Sequence, residues 1–150
     1  MRRLAFRKRG LEFVAPSKVL EKVFAETWKT APSRVHLIPN GVDLSTFSVL
    51  ERGERPVTIG TVAALRQEKR LDRLIDCFAA MKDTSTRLLI VGGGPERAAL
   101  EAQAARLGER VSFAGEQGDV APFLAQMDIY ALSSDTEQMP ISLVEGMASG

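Results

Sequence analysis

From Val57 onward, short apolar runs alternate with stretches that are apolar at helical spacing. Val57–Ala63, Leu88–Val91, Val111–Phe113 and Ile129–Leu132 are mostly apolar and uncharged, as buried strands are. Leu71–Met81, Pro95–Leu107, Val120–Met127 and Pro140–Ser149 read as the helices between and after them. In the first of these, Leu71, Leu74, Ile75 and Phe78 fall on one stripe, and Asp72 sits near the positive end of the helix. Cys77 lies on the flank of that stripe, where packing is the expected role, because nothing nearby lowers a thiol pKa. The repeated strand-helix pattern predicts an α/β fold: a doubly wound, Rossmann-like parallel sheet with right-handed crossovers.

The first part of the chain is less regular. Leu11–Ala15 reads as a strand, and Pro16-Ser17 as a helix entry with Ser17 as N-cap. Leu20, Val23, Phe24, Thr27 and Trp28 then recur at helical spacing up to the stop before Pro32, and Trp28 is expected in the core. Val35–Ile38 is a second strand, closed by a Pro39-Asn40-Gly41 turn whose glycine allows positive φ. The single histidine, His36, is read as structural. Ser48–Pro56 turns polar and reads as a linker.

Composition narrows the class without naming a chemistry. At 150 residues, 45% hydrophobic and 26% charged, the chain has the material for a globular core. A net charge of +1 gives no pull toward nucleic acid. One cysteine excludes an internal disulfide, and no Cys/His cluster offers zinc ligands, so a reducing cytoplasm fits. No apolar run reaches the roughly 18 residues of a spanning helix, and the start lacks the apolar core of a secretory signal. Arg2, Arg3, Arg7, Lys8 and Arg9 nevertheless make that start basic. Peripheral contact with anionic lipid is open to it, beside the plainer reading of a solvated surface segment.

The densest chemistry lies in Ser133–Gly150, SSDTEQMPISLVEGMASG. A loop leaves the Ile129–Leu132 strand, Pro140 suits a first helical position, and the helix start offers backbone N–H groups to a phosphate. Glu145 is the only charge from Gln138 to Gly150. Glu137 and Glu145 enclose seven residues, and the whole passage resembles the E-x7-E segment of GT-B glycosyltransferases of the family 4, or group 1, type. That resemblance implies a nucleotide-sugar-dependent, mostly retaining transferase. It places Glu137 beside the donor sugar and reacting centre, gives Met139, Pro140, Ile141 and Ser142 contacts with sugar and phosphate, and makes Glu145 the acceptor for ribose hydroxyls.

Other motifs agree with it. Gly92-Gly93-Gly94-Pro95 looks like the family's GxGP turn, and structural turn and ligand contact both remain open for it. It is not a dinucleotide fingerprint, since Arg97 stands at the third glycine position. Thr61–Arg70 leaves the first strand of the repeat with Arg66 and Lys69. Lys69 matches the family's phosphate-binding lysine; the arginine position falls on Ala64, and Arg66, two residues on, is the candidate replacement. No Asp-x-Asp occurs, so a site without metal or other cofactor is expected, with Arg, Lys and a helix end compensating the leaving diphosphate. Gly115–Val120, with Gly115 and Asp119, corresponds to the nucleobase edge, an ordinary turn being the alternative.

The resemblance runs from Leu11 to Gly150, and IPNGVDLSTF resembles the passage between the family's two domains. It implies residues 1–47 as the end of an acceptor domain, 48–56 as linker and 57–150 as most of a nucleotide-sugar-binding domain. The acceptor is expected to be a saccharide, a lipid or another hydroxyl. A nucleotide-binding module without independent catalysis and a nucleotide-sugar 2-epimerase of the same fold stand as alternatives. A sheet that stops after Gly150 also leaves the Ile129–Leu132 strand as an open edge, so self-association of this chain is expected.

Overall fold

The computed structural model describes residues 10–47, 49 and 53–150. The basic cluster from Arg2 to Arg9 and linker residues 48 and 50–52 lie outside them. The chain forms two compact units. One comprises the described residues up to Gly41 with Glu137–Ile141, the other Val42–Thr136 with Ser142–Gly150.

In the first unit, β1 (Phe13–Ala15) runs parallel to β2 (Val35–Leu37), pairing Phe13 with Val35. Ser17 caps α1 (Lys18–Lys22) as expected, its Oγ accepting from the Leu20 amide at 3.2 Å. The helix then widens into a π-helical turn, Val23–Thr27, closed by a Trp28 N–H to Val23 carbonyl bond of 3.0 Å. Phe24 is buried, and half-buried Trp28 packs edge-on against it with centroids 4.6 Å apart. Exposed His36 pairs through Nε2 with Glu12 Oε2 at 2.9 Å, a surface contact. Gly41 does not use the positive φ that glycine allows. Its neighbour Asn40 is anchored through its side chain, Nδ2 donating to the Met139 carbonyl at 3.0 Å.

The second unit holds a parallel sheet of β3 (Thr58–Val62), β4 (Arg87–Val91), β5 (Val111–Gly115) and β6 (Ile129–Tyr130), in the order β5-β4-β3-β6. Leu88, Leu89, Ile90 and Val91 are all buried, as an interior strand covered on both faces requires. Between and after the strands lie α2 (Leu71–Ala79), α3 (Arg97–Ala104), α4 (Ala121–Leu124) and α5 (Ile141–Ala148). Each is shorter than its apolar pattern predicts. Pro95-Glu96 form a turn before α3, 3-10 turns follow it over Ala105–Arg110, and Pro140 immediately precedes α5.

Leu71, Ile75 and Phe78 of the α2 stripe are buried with Leu65, Leu88, Ile90, Leu100 and Ala104. Gln103 Nε2 joins α3 to α2 through the Asp72 carbonyl (2.9 Å) and Asp76 Oδ1 (2.8 Å). The Arg110 guanidinium lies 4.7 Å from the Phe78 ring centroid. Cys77 corrects the sequence reading: it is exposed, one position short of buried Phe78, and is not part of the core.

Candidate functional site

The strand order creates a switch point beside β3. The chain moves from β3 through β4 to β5 on one side, then returns to lay β6 on the other side of β3. In sheets of this kind the carboxyl ends at the switch point border a ligand crevice. The loops leaving β3 and β6 therefore start at that switch point.

Arg66 opens a 3-10 turn over Gln67–Lys69, and the Lys69 amide donates back to the Arg66 carbonyl at 3.0 Å. Arg66 is exposed and Lys69 half-buried. Arg70 closes the turn in the left-handed region (φ 49°, ψ 42°), a conformation that costs a side-chain-bearing residue about 1–2 kcal/mol. Its guanidinium is held in place by neighbouring carboxylates. Nε and Nη2 reach Asp72 at 3.0 and 2.9 Å, and Nη1 reaches Asp135 at 3.4 Å.

Asp135 belongs to the loop after β6, which is bound to that turn at several points. Arg73 Nη2 meets Asp135 Oδ1 at 2.6 Å, the Asp135 amide donates to the Glu68 carbonyl at 3.0 Å, and Ser133 Oγ donates to the Lys69 carbonyl at 2.9 Å. Arg73 first, and Arg70 with it, hold the Asp135 carboxyl below the usual carboxylate range. A cleft of about 610 Å³ opens here, lined among others by Arg66, Arg70, Asp72, Glu96 and Asp135.

The glycine turn after β4 has a packing reason at two positions. Gly92 (φ 137°) lies against the Ala63 carbonyl and Gly94 (φ 156°) against the Leu65 backbone, so a Cβ at either would collide with main chain. Leu65 N–H donates to the Gly93 carbonyl at 2.9 Å, and the Glu96 amide to the Leu65 carbonyl at 3.0 Å. The loops after β3 and β4 thus touch through backbone.

Ser142 and Glu145, both half-buried on α5, lie near Tyr130 of β6. The Tyr130 hydroxyl donates to the Val62 carbonyl, the last residue of β3, at 3.1 Å. Burial, chiefly, raises the phenol pKa, with the Glu145 charge adding to it and hydrogen bonding toward Ser142 and Thr61 opposing it. These contacts bring Ser142 and Glu145 to the carboxyl end of β3.

Gly115 ends β5 buried, at φ 77°, with Arg97 Nη1 3.1 Å from where its Cβ would stand. Asp119 is exposed, and its Oδ1 accepts from the Ala121 amide at 3.0 Å, a turn that starts α4. Glu137, Met139, Pro140 and Ile141 fall in the first compact unit, where Glu137, Met139 and Pro140 are half-buried and Ile141 is exposed. The two glutamates of the E-x7-E passage thus belong to different units. Arg70, Tyr130 and Asp135 were not anticipated as site residues. Asp135 and Arg70 left a trace in the sequence only as charges, in the loop before Glu137 and at the end of the Thr61–Arg70 stretch. Among the described residues, no group of three or more His, Cys, Asp or Glu could hold a metal ion, and no helix is long and apolar enough to cross a membrane.

The chain is 35% identical over 125 residues to a GDP-mannose-dependent alpha-(1-6)-phosphatidylinositol dimannoside mannosyltransferase of Mycobacterium tuberculosis (strain ATCC 25177 / H37Ra), covering 75% of this chain and 33% of that protein. It is 34% identical over 92 residues to the N-acetyl-alpha-D-glucosaminyl L-malate synthase of Bacillus anthracis, covering 59% and 24%. Among solved structures, Anabaena Alr3699/HepE in complex with UDP and glucose superposes with a TM-score of 0.82 at 22% identity, over 97% of this chain and 44% of that one. This likeness is one of fold, the Rossmann-like parallel sheet of GT-B proteins. The chain spans about a third of the length of the curated relatives it matches. Residues 56–150, the part that contains the switch-point crevice, match the family described as Glycosyl transferases group 1, and the chain belongs to that family.

Proposed function

We propose that this chain supplies the nucleotide-sugar-binding part of a retaining glycosyltransferase, which moves a sugar from a nucleoside diphosphate to an acceptor hydroxyl. What supports the reading is that the Arg66–Lys69 turn lies in the loop leaving β3, while Ser142 and Glu145 lie near Tyr130, whose hydroxyl reaches the last residue of that strand. Lys69 and Arg66 compensate the diphosphate as its bond to the sugar breaks, and the leaving oxygen needs no proton while that charge is offset. The N–H groups at the start of α5 add to the same field. Glu145, an acceptor only, takes hydrogen bonds from the ribose hydroxyls. Glu137 works on the donor sugar, with the backbone of Met139, Pro140 and Ile141 meeting sugar and phosphate, and Gly115 and Asp119 border the base.

The mycobacterial relative uses GDP-mannose and HepE was solved with UDP. The shared chemistry is therefore a nucleoside diphosphate rather than one base. In this reading 57–150 is the donor domain, 48–56 a linker and 1–47 the end of an acceptor domain, in a cytoplasmic protein that can approach a lipid surface. Calorimetric titration of the chain with UDP, GDP and ADP tests it. One of them should bind, and Glu145→Ala should weaken that binding by about 1–3 kcal/mol, the cost of unmatched ribose donors. Equal binding by both proteins removes Glu145 from the site. No binding by the wild type removes the reading.

A further inference from the structure

We propose that Asp135 is a positioning residue for the phosphate-binding turn, holding Lys69 and Arg66 in the orientation that receives a diphosphate. This rests on the nucleotide-binding reading above and adds to it a residue that would not touch the ligand. The turn Gln67–Lys69 is one 3-10 turn ending in a left-handed arginine, a combination with little stiffness of its own. Its own bonds are few: the Lys69 amide to the Arg66 carbonyl (3.0 Å) and the Arg70 amide to the Gln67 carbonyl (3.1 Å). Asp72 on α2 holds Arg70, and further restraint comes from the loop after β6. The Asp135 amide donates to the Glu68 carbonyl, Ser133 Oγ donates to the Lys69 carbonyl, and the Asp135 carboxylate accepts from Arg70 on the turn and Arg73 on α2. The carboxylate is thus the point where turn, helix and loop are tied together.

The sign of the effect separates positioning from mere proximity. Asp135 is a negative charge lining the same cleft as Arg66. If it were only a neighbouring charge, removing it would tighten the binding of an anion. If it positions the turn, removing it weakens binding, although the electrostatic change runs the other way. The same removal leaves Arg70 paired with Asp72 alone and frees Arg73 from its carboxylate partner, a second reason for tighter binding on the proximity view.

The test compares wild type, Asp135→Ala and Asp135→Glu by calorimetry with whichever of UDP, GDP and ADP the wild type binds, and with the matching nucleoside monophosphate. Asp135→Ala should bind the diphosphate about tenfold more weakly, the scale of one charge-assisted hydrogen bond. The loss should be smaller for the monophosphate, and Asp135→Glu should recover most of it. Where Asp135→Ala lowers the melting temperature, Asp135→Asn, which removes the charge and keeps the shape, carries the test in its place, with the same direction expected. Unchanged or tighter diphosphate binding in a folded variant overturns the proposal. A wild type that binds no nucleotide removes the underlying reading instead.

Discussion

The ring of Tyr130 occupies the space that a side chain on Gly146 would need: a Cβ there would stand 2.9 Å from Cδ2 and 3.1 Å from Cγ. This contact seats α5 on β6 one turn after Ser142. Gly146→Ala should gain about 0.5–1 kcal/mol of helix preference and lose more to the collision, for a net destabilisation of about 1–2 kcal/mol. Urea denaturation measures it. Combining Gly146→Ala with Tyr130→Leu should recover part of the loss, because the ring edge is then absent; strict additivity of the two would mean that they do not touch.

Arg55 grips Asp128 through Nη1 (2.8 Å) and Nη2 (3.0 Å), and the same carboxylate accepts from the Thr58 amide at 2.7 Å. Asp128 is 11% exposed and Arg55 36%. Asp128→Ala leaves both an amide and a guanidinium without this acceptor and should cost about 1–3 kcal/mol. Arg55→Ala removes only the more exposed partner and should cost about 1 kcal/mol or less. Denaturant midpoints of the two variants and their double mutant give the coupling directly.

Asp83 organises the loop that enters β4. Its Oδ2 accepts from buried Thr86 Oγ1 at 2.7 Å, and its Oδ1 accepts from the Ser85 hydroxyl (2.7 Å) and amide (2.8 Å). The Thr86 bond first, then those of Ser85, hold the carboxyl down at about 2. The unfolded chain titrates near 3.9. Stability from this group is therefore complete above that value and is lost as the pH falls toward 2. Thermal melts between pH 5 and 2 should show a shallower acid decline in Asp83→Asn, which is destabilised at neutral pH. Parallel profiles would take Asp83 out of the acid transition.

β6 is the terminal strand of the sheet, and Ile129, Leu132 and Met147 near it are 51%, 39% and 75% exposed. Asp128 at its start is engaged by Arg55 and does not project as a guard. An uncharged, exposed edge recruits other strands. The chain should sediment as dimers or larger species at micromolar concentration, and Ile129→Lys should shift it toward monomer. A wild type that stays monomeric would show that two residues of strand are too short a template.

The parallel sheet was readable because burial writes it into composition. Leu88–Val91 is apolar at every position, as only a strand covered on both faces can be. The Leu71, Ile75 and Phe78 stripe was readable for the same reason. What escaped were relationships between distant parts of the chain. Asp135 and Arg73, or Arg55 and Asp128, are pairs that no local period announces, and Arg70 adopts a backbone that its side chain gives no reason to expect. Cys77 was misread because the flank of an apolar stripe can face either way. Around the candidate site, Lys69, Ser142 and Glu145 could be singled out from motif and charge. The carboxylate and phenol that hold their surroundings could not, because a supporting residue needs only reach, and reach depends on the fold.

The glycine turn after β4 carries a consequence for how this protein tolerates change. Gly92 and Gly94 meet the Ala63 and Leu65 backbone with no side chain between them, so the gap between these two crevice loops is set by main-chain atoms alone. Sequence drift on the outer faces of α2 and α3 cannot widen or narrow that gap. A mutational scan should therefore find broad permissiveness on those helices beside complete intolerance at Gly92 and Gly94, and a library meant to reshape the ligand would have to leave this spacing untouched and vary what hangs from it.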